Sequence, residues 1–309
     1  MSICFLFPGQ GTQYPDLFGC LPQHTAVKDT LLEASQILKV NIDQLDSQAA
    51  LKSTINVQLS LFIAGVASAR ALAASHVIPA AVAGLSVGAF AAAVICKSLD
   101  FADGIALVQK RAQLMENRFP SGFGMSAIVG LNEQTVAQLV HGFYSTSQPV
   151  FVSNINAPRQ IIIAGCLAGL DKVEEAALKI GAQKAERLNV GVPSHCPLFQ
   201  PVADSLQEIL SKIALKKPTI PYISNIRARP LRLAAAVAED LANNIAHGVR
   251  WHESISVLME LGCDLFVEMN PGSVLSRLGS EAFPDVRFIA LEESSLAYLE
   301  TMAKKSQTK

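Results

Sequence analysis

The run Gly84-Leu85-Ser86-Val87-Gly88 has the G-x-S-x-G form of a nucleophile elbow. A short apolar run, Ala80 to Ala83, precedes it and can end a buried strand. The alanine-rich stretch Ala89 to Cys96 follows and can continue as a helix. A serine on so sharp a strand-to-helix turn clashes with its neighbours unless they lack side chains, so the flanking glycines are steric requirements. Such a turn lifts the hydroxyl out of the sheet and aims the helix N-terminus at it. The partial positive charge there favours a developing oxyanion. The five-residue pattern is common, however, and a nucleophile needs partners.

The first partner is a base. Of the six histidines, His195 is the best placed, in Val192-Pro193-Ser194-His195-Cys196, where a rigid proline turn can hold an imidazole over a cleft. The bland alternative is a polar loop histidine. Serine before histidine in the chain is compatible with an α/β-hydrolase-like site. His247 and His252 flank Trp251, but their spacing does not put them on one helix face, so they are not read as metal ligands. Arg111 lies among mostly apolar neighbours in Val108 to Met115. A cation there either snorkels to a surface ion pair or meets an anion, and the planar guanidinium suits a carboxylate. The six cysteines (Cys4, Cys20, Cys96, Cys166, Cys196, Cys263) show no CxxC pair and no metal-type spacing, which fits reduced thiols in the cytoplasm.

These residues need a scaffold. At 309 residues, half of them hydrophobic and 17% charged, the chain buries a large core and has the length of about two domains. A net charge of −1 points to neither nucleic acid nor an anionic membrane. Met1 to Phe7 carries no basic segment and breaks at Pro8, so it makes a poor signal peptide. Ile78 to Cys96 contains no charge and is nominally long enough to span a bilayer. Pro79, Gly84, Ser86 and Gly88 divide it, and a buried strand, elbow and helix explain it better.

Ile3 to Phe7 reads as a first strand feeding the loop Pro8-Gly9-Gln10-Gly11. Lys52 to Ser75 and Asp100 to Arg118 read as helices around the elbow unit, an alternation expected of a mainly parallel α/β sheet. From Met125 the rhythm changes. Strand Met125 to Leu131, helix Glu133 to His141, strands Val150 to Ile155 and Gln160 to Ala164, helix Leu167 to Ile180 and strand Gln183 to Val190 form a βαββαβ unit. The expected fold is therefore an α/β-hydrolase-like domain with a mainly parallel sheet, residues 1–123 and 192–309, plus an inserted ferredoxin-like small domain, residues 124–191. The larger domain resumes with a helix from Leu198 to Ile213, a strand near Tyr222 to Asn225 and a helix from Ala234 toward Ile245. A helix from Glu253 to Leu261 and strands Leu265 to Glu268 and Arg287 to Leu291 complete it, and the polar tail from Ala303 is expected to fray.

Five separated motifs carry a resemblance. Phe7-Pro8-Gly9-Gln10-Gly11-Thr12-Gln13, the elbow, Arg111 in its helix, Val192 to Cys196, and Phe266-Val267-Glu268-Met269-Asn270-Pro271-Gly272 occur in order. Together, and over nearly the whole chain, they resemble the malonyl-CoA:acyl-carrier-protein transacylase family. Asn154 to Pro158 and Val249-Arg250-Trp251 sit where that family has similar segments. The resemblance implies that Ser86 is the acylated nucleophile and His195 its general base and acid. It implies that Gln10 and Val87 supply oxyanion-hole amides, that Arg111 holds the malonyl carboxylate, and that the backbone carbonyl of Arg250 steadies the histidine. Asn154 and Asn156 are implied contacts for acyl or pantetheine groups. The family's elbow usually reads Gly-His-Ser-Leu-Gly-Glu, whereas Leu85 and Ala89 stand here for the histidine and glutamate. Those changes resemble the branch serving malonate decarboxylase, the epsilon-type subunit. The implied function is malonyl transfer from coenzyme A to the thiol of an acyl carrier protein, the malonate decarboxylase carrier subunit, with fatty-acid or polyketide biosynthesis as the alternative. No metal and no cofactor beyond the coenzyme A thioester are implied, and no nucleic acid or membrane partner. A plain serine hydrolase and a non-catalytic binding subunit are the rival classes.

Overall fold

The computed structural model describes residues 2–119 and 121–307. Two sheets organise them. The first has the order β10-β9-β1-β2-β7-β8, using β1 (Ser2–Phe7), β2 (Ala81–Gly84), β7 (Tyr222–Ile223), β8 (Pro230–Leu231), β9 (Cys263–Glu268) and β10 (Arg287–Ala290). All neighbours run parallel except β8, which turns back on β7. Cys4 to Phe7 are fully buried, as a central strand covered on both faces must be.

Helices α1 (Thr25–Leu38), α2 (Thr54–Ala74), α3 (Gly88–Ile95), α4 (Phe101–Arg118), α7 (Gln200–Leu210), α8 (Ala234–Asn243), α9 (Trp251–Glu260), α10 (Val274–Ala282) and α11 (Leu296–Gln307) belong to this part of the chain. Among the described residues α2 is the one helix long and apolar enough to cross a bilayer. It is a core helix instead, apolar on most sides and largely buried against its neighbours. The uncharged run from Ile78 to Cys96 divides as expected into strand, elbow and α3. Sequence reading missed α1, α10 and α11. The last continues through Gln307 where fraying was expected, while Thr308 and Lys309 lie outside the described residues.

The second sheet, β4-β5-β3-β6, is antiparallel and uses β3 (Phe123–Val129), β4 (Val150–Ala157), β5 (Gln160–Cys166) and β6 (Lys184–Arg187). With α5 (Glu133–Phe143) and α6 (Leu167–Lys179) it has the ferredoxin-like order. Period-two alternation gives its strands two faces. Ile128, Ile161 and Ile163 pack with the two helices, whereas Met125, Ala127, Ile162 and Ala164 form the opposite face with Cys196. Strand β6 is shorter than expected, and Leu188 and Val190 leave the edge to line a cleft.

The two sheets meet at a stitch. Ile155 N–H donates to the Val249 carbonyl (2.8 Å), and Val249 N–H donates to that of Ser153 (3.0 Å). Glycine is required at 248, because a Cβ there would stand 2.6 Å from the Ser153 oxygen.

Candidate active site

The elbow joins β2 to α3 at the C-terminal end of the parallel sheet, beside the loops that follow β1, β7 and β9, where open α/β sheets place their ligands. Its glycines are there for space. A Cβ on Gly84 would lie 2.1 Å from the Gly88 carbonyl carbon, and one on Gly88 would lie 2.2 Å from the Phe7 oxygen. Ser86 between them has φ 57°, the left-handed conformation that exposes its hydroxyl.

The partners expected from the sequence converge on that hydroxyl. Ser86 Oγ–H donates to His195 Nε2 at 2.8 Å. Across the ring, His195 Nδ1 lies 2.6 Å from the backbone carbonyl of Asn244. A carbonyl only accepts, so the proton sits on Nδ1 and the Nε2 lone pair faces the serine, the tautomer a general base needs. His195 N–H also donates to Ile245 O (2.7 Å), so one short segment fixes both backbone and ring.

This corrects the expectation for Arg250. Its carbonyl accepts from Ser254 in the first turn of α9 and does not face the histidine. Its guanidinium instead pairs with Glu253 and reaches Glu133 on α5. The histidine-orienting carbonyl belongs to Asn244, six residues earlier, and a backbone group leaves no side-chain mark in a sequence.

Arg111 is completely buried. Nη2 donates to Ser86 Oγ (3.1 Å) and Nη1 to Gln58 Oε1 (2.7 Å), while Nε has no partner. Gln58 was not foreseen. The signal was a lone amide in the apolar run Val57-Gln58-Leu59 of α2, whose second group rests on Met115 Sδ (3.2 Å). Burial lowers the Arg111 pKa to about 9, which still leaves it cationic at neutral pH.

The amides of Gln10 and Val87 have no protein acceptor among the described residues, so both remain available to an oxyanion. Asn154 and Asn156 line the cleft from β4. Asn154 Oδ1 accepts from Ser153 Oγ (2.9 Å), and Asn156 Oδ1 is buried without a partner. The cleft measures about 740 Å³ and lies between the two sheets, with Gln10, Leu85, Ser86 and His195 on one side and Met125, Ala127 and Ile162 on the other. The other candidate nucleophile points elsewhere: Cys196 Sγ–H donates to Pro193 O (3.0 Å), and burial pushes its pKa up to about 12.

Burial, reinforced by the Arg111 charge, lowers the His195 pKa to about 4, against the opposing pull of the backbone carbonyls. The base is the neutral form. Activity is therefore held as pH falls through the ordinary histidine range and lost only as His195 protonates. The acid limb of kcat/KM, which reports the free enzyme, is expected near pH 4. An anion bound beside Arg111 would offset its charge, and the acid limb of kcat would then lie at higher pH than that of kcat/KM. Rates of acylation measured from below the kcat/KM limb up to neutral pH check the order of the two limbs.

A serine under a neutral imidazole, a buried cation on the same oxygen and two spare amides beside it make a site for acyl transfer through an ester on Ser86. The acyl transferase domain model matches residues 4–308. The chain belongs to that family. It is 32% identical to the malonyl CoA-acyl carrier protein transacylase of Bacillus subtilis (strain 168) over 300 residues, covering 94% of each chain. Among solved structures it resembles an acyl-carrier-protein S-malonyltransferase from Burkholderia pseudomallei 1710b, with TM-score 0.92, 33% identity and coverage of 98% and 100%. It equally resembles a malonyl-transacylase solved in complex with its type II PKS acyl-carrier protein, with TM-score 0.92, 30% identity and coverage of 99% and 100%.

Proposed function

We propose that this chain is a malonyl-CoA:acyl-carrier-protein S-malonyltransferase working through a malonyl-serine. The observation that carries the reading is Arg111, buried against the nucleophile with Nε unpaired. A cation in that position is a liability for a hydrolase of neutral esters, since its hydrogen-bond partners Gln58 and Ser86 are neutral and leave the charge unpaired. An acyl group ending in a carboxylate turns the liability into a binding contact.

In the first half-reaction His195 Nε2 takes the Ser86 proton as Oγ attacks the thioester carbon. The amides of Gln10 and Val87 hold the oxyanion, the C–S bond breaks, and the departing coenzyme A sulfur receives the proton from His195. In the second, His195 deprotonates the thiol of a carrier-bound pantetheine-type group. That sulfur attacks the malonyl-serine, and Ser86 Oγ leaves with the returned proton. The pantetheine arm runs along β4, where the spare Asn156 Oδ1 can accept from an amide N–H and Asn154 stands beside it. The coenzyme A thioester is a substrate, and the two steps balance without metal or redox cofactor. The enzyme acts in the cytoplasm, apart from membranes and nucleic acid.

Two acceptors have support. The relatives named above, one of them bound to a polyketide carrier, favour a fatty-acid or polyketide carrier protein. Leu85 and Ala89 favour the malonate decarboxylase carrier subunit. Leu85 lines the cleft and fills the space against Gly9, while Ala89 is fully buried in the first turn of α3, directly behind the elbow. Malonyl transfer rates to the two purified carriers decide between them. Faster loading of the decarboxylase carrier supports the second reading, and faster loading of the biosynthetic carrier removes it.

The role of Arg111 has its own test. A charge-assisted contact is worth roughly 1.5–3 kcal/mol, so Arg111→Ala should cost about 10- to 150-fold in kcat/KM for malonyl-CoA. Acetyl transfer should hold level or rise, since the vacated space accepts a neutral group. Arg111→Lys should recover part of the loss, because a point charge lacks the bidentate fork. Equal losses for both donors would make Arg111 a support for the fold, not a reader of the carboxylate.

A further inference from the structure

We propose that Asn225 is a positioning residue for the nucleophile, its carboxamide clamping the elbow from outside so that Ser86 Oγ and Val87 N–H take their working directions. Asn225 follows β7 and is buried. Its Nδ2 donates to Gly84 O (2.8 Å) and its Oδ1 accepts from Ser86 N–H (2.9 Å), so one planar group spans the turn. A non-glycine residue at φ 57° persists only where its surroundings hold it, and these two bonds fix the backbone leading into the strained residue, from the Gly84 carbonyl to the N–H of Ser86 itself.

The clamp is anchored at its back. Asn225 N–H donates to Asp240 Oδ2 (3.3 Å), and the same buried carboxylate accepts from Tyr222 OH (2.8 Å) and Ser224 Oγ (2.5 Å). Asn225 O accepts from Arg250 N–H (2.9 Å), and Arg250 ends the segment whose carbonyls at Asn244 and Ile245 hold His195. One residue thus joins the support of the nucleophile to the support of the base. There is a consequence for the oxyanion as well. The Ser86 amide is spent on Asn225, which leaves the next amide, Val87, as the elbow's donor.

This inference rests on acylation of Ser86, and a fluorophosphonate, which forms an Oγ–P bond on an activated serine and releases fluoride, separates it from the choice of acyl group. Asn225→Leu removes both bonds at similar volume. Misaligning reacting groups by a fraction of an ångström to an ångström costs on the order of 10- to 100-fold. The leucine variant should show that loss in the rate constant for Ser86 labelling by both malonyl-CoA and fluorophosphonate, with one label per chain at completion and KM for malonyl-CoA little changed. Asn225→Asp keeps the acceptor for Ser86 N–H but turns a carboxylate oxygen against the Gly84 carbonyl, so its rate should also fall below that of the wild type. Wild-type rate constants in Asn225→Leu overturn the clamp, and so does a smaller labelled fraction reacting at the wild-type rate, which marks a role in folding alone. Wild-type protein that accepts fluorophosphonate but not malonyl overturns the donor assignment and leaves a different signature.

Discussion

Ser86→Ala is expected to abolish acyl-enzyme formation. Incubated with malonyl-CoA, the wild-type protein should gain one malonyl group, located on Ser86 by intact and peptide mass, and the alanine variant none. The effect is total because, among the described residues, the thiol next to the base in sequence points away from the cleft. Cys196 is next to the base in sequence, yet its thiol is buried on the Pro193 carbonyl and holds its proton far more tightly than an ordinary cysteine. Malonyl found on Cys196 in either protein would overturn the assignment. Gln58 and His195 should keep their places in the variant, since neither depends on the serine hydroxyl alone for its position.

His195→Ala should slow acylation by a factor on the order of 10² to 10⁴, the range for loss of a general base, with little change in malonyl-CoA binding. The other histidines of that region are engaged elsewhere. His247 is exposed, with Nδ1 3.0 Å from Asn243 O, and His252 stacks on Phe283 with ring centroids 4.9 Å apart. Near-normal acylation in the variant would require one of them to reach the serine. The residual rate should have lost the acid limb belonging to His195, a readout that general damage to the fold does not give.

Much of this site was legible because side chains carry it. The elbow glycines, Ser86, His195 and Arg111 each have a chemistry that constrains where they can stand, and the two sheet types differ in hydrophobic rhythm. What escaped reading is held by the main chain or by tertiary contact. The carbonyl that orients His195 belongs to Asn244, and any residue could present it. Helix α1 buries only Val27, Thr30 and Ala34, too sparse a stripe to stand out from its polar neighbours. Gln58 and Asn225 are amides within otherwise apolar or turn segments, and their partners lie 53 and 139 residues away in sequence.

The carbonyl behind His195 has a consequence for how the borrowed proton is returned. A carboxylate there would pair with the imidazolium and make the histidine a stronger base, as in hydrolases that cut amides. The Asn244 dipole selects a tautomer and stores no charge, so the imidazolium formed in each half-reaction is short-lived and readily surrenders its proton. That suits a sulfur leaving group, which departs with little help. It suits the serine alkoxide as well, which the proposed second half-reaction expels with the proton returned from His195. His195 therefore returns to its neutral form at the end of each half-reaction, ready to serve either thiol.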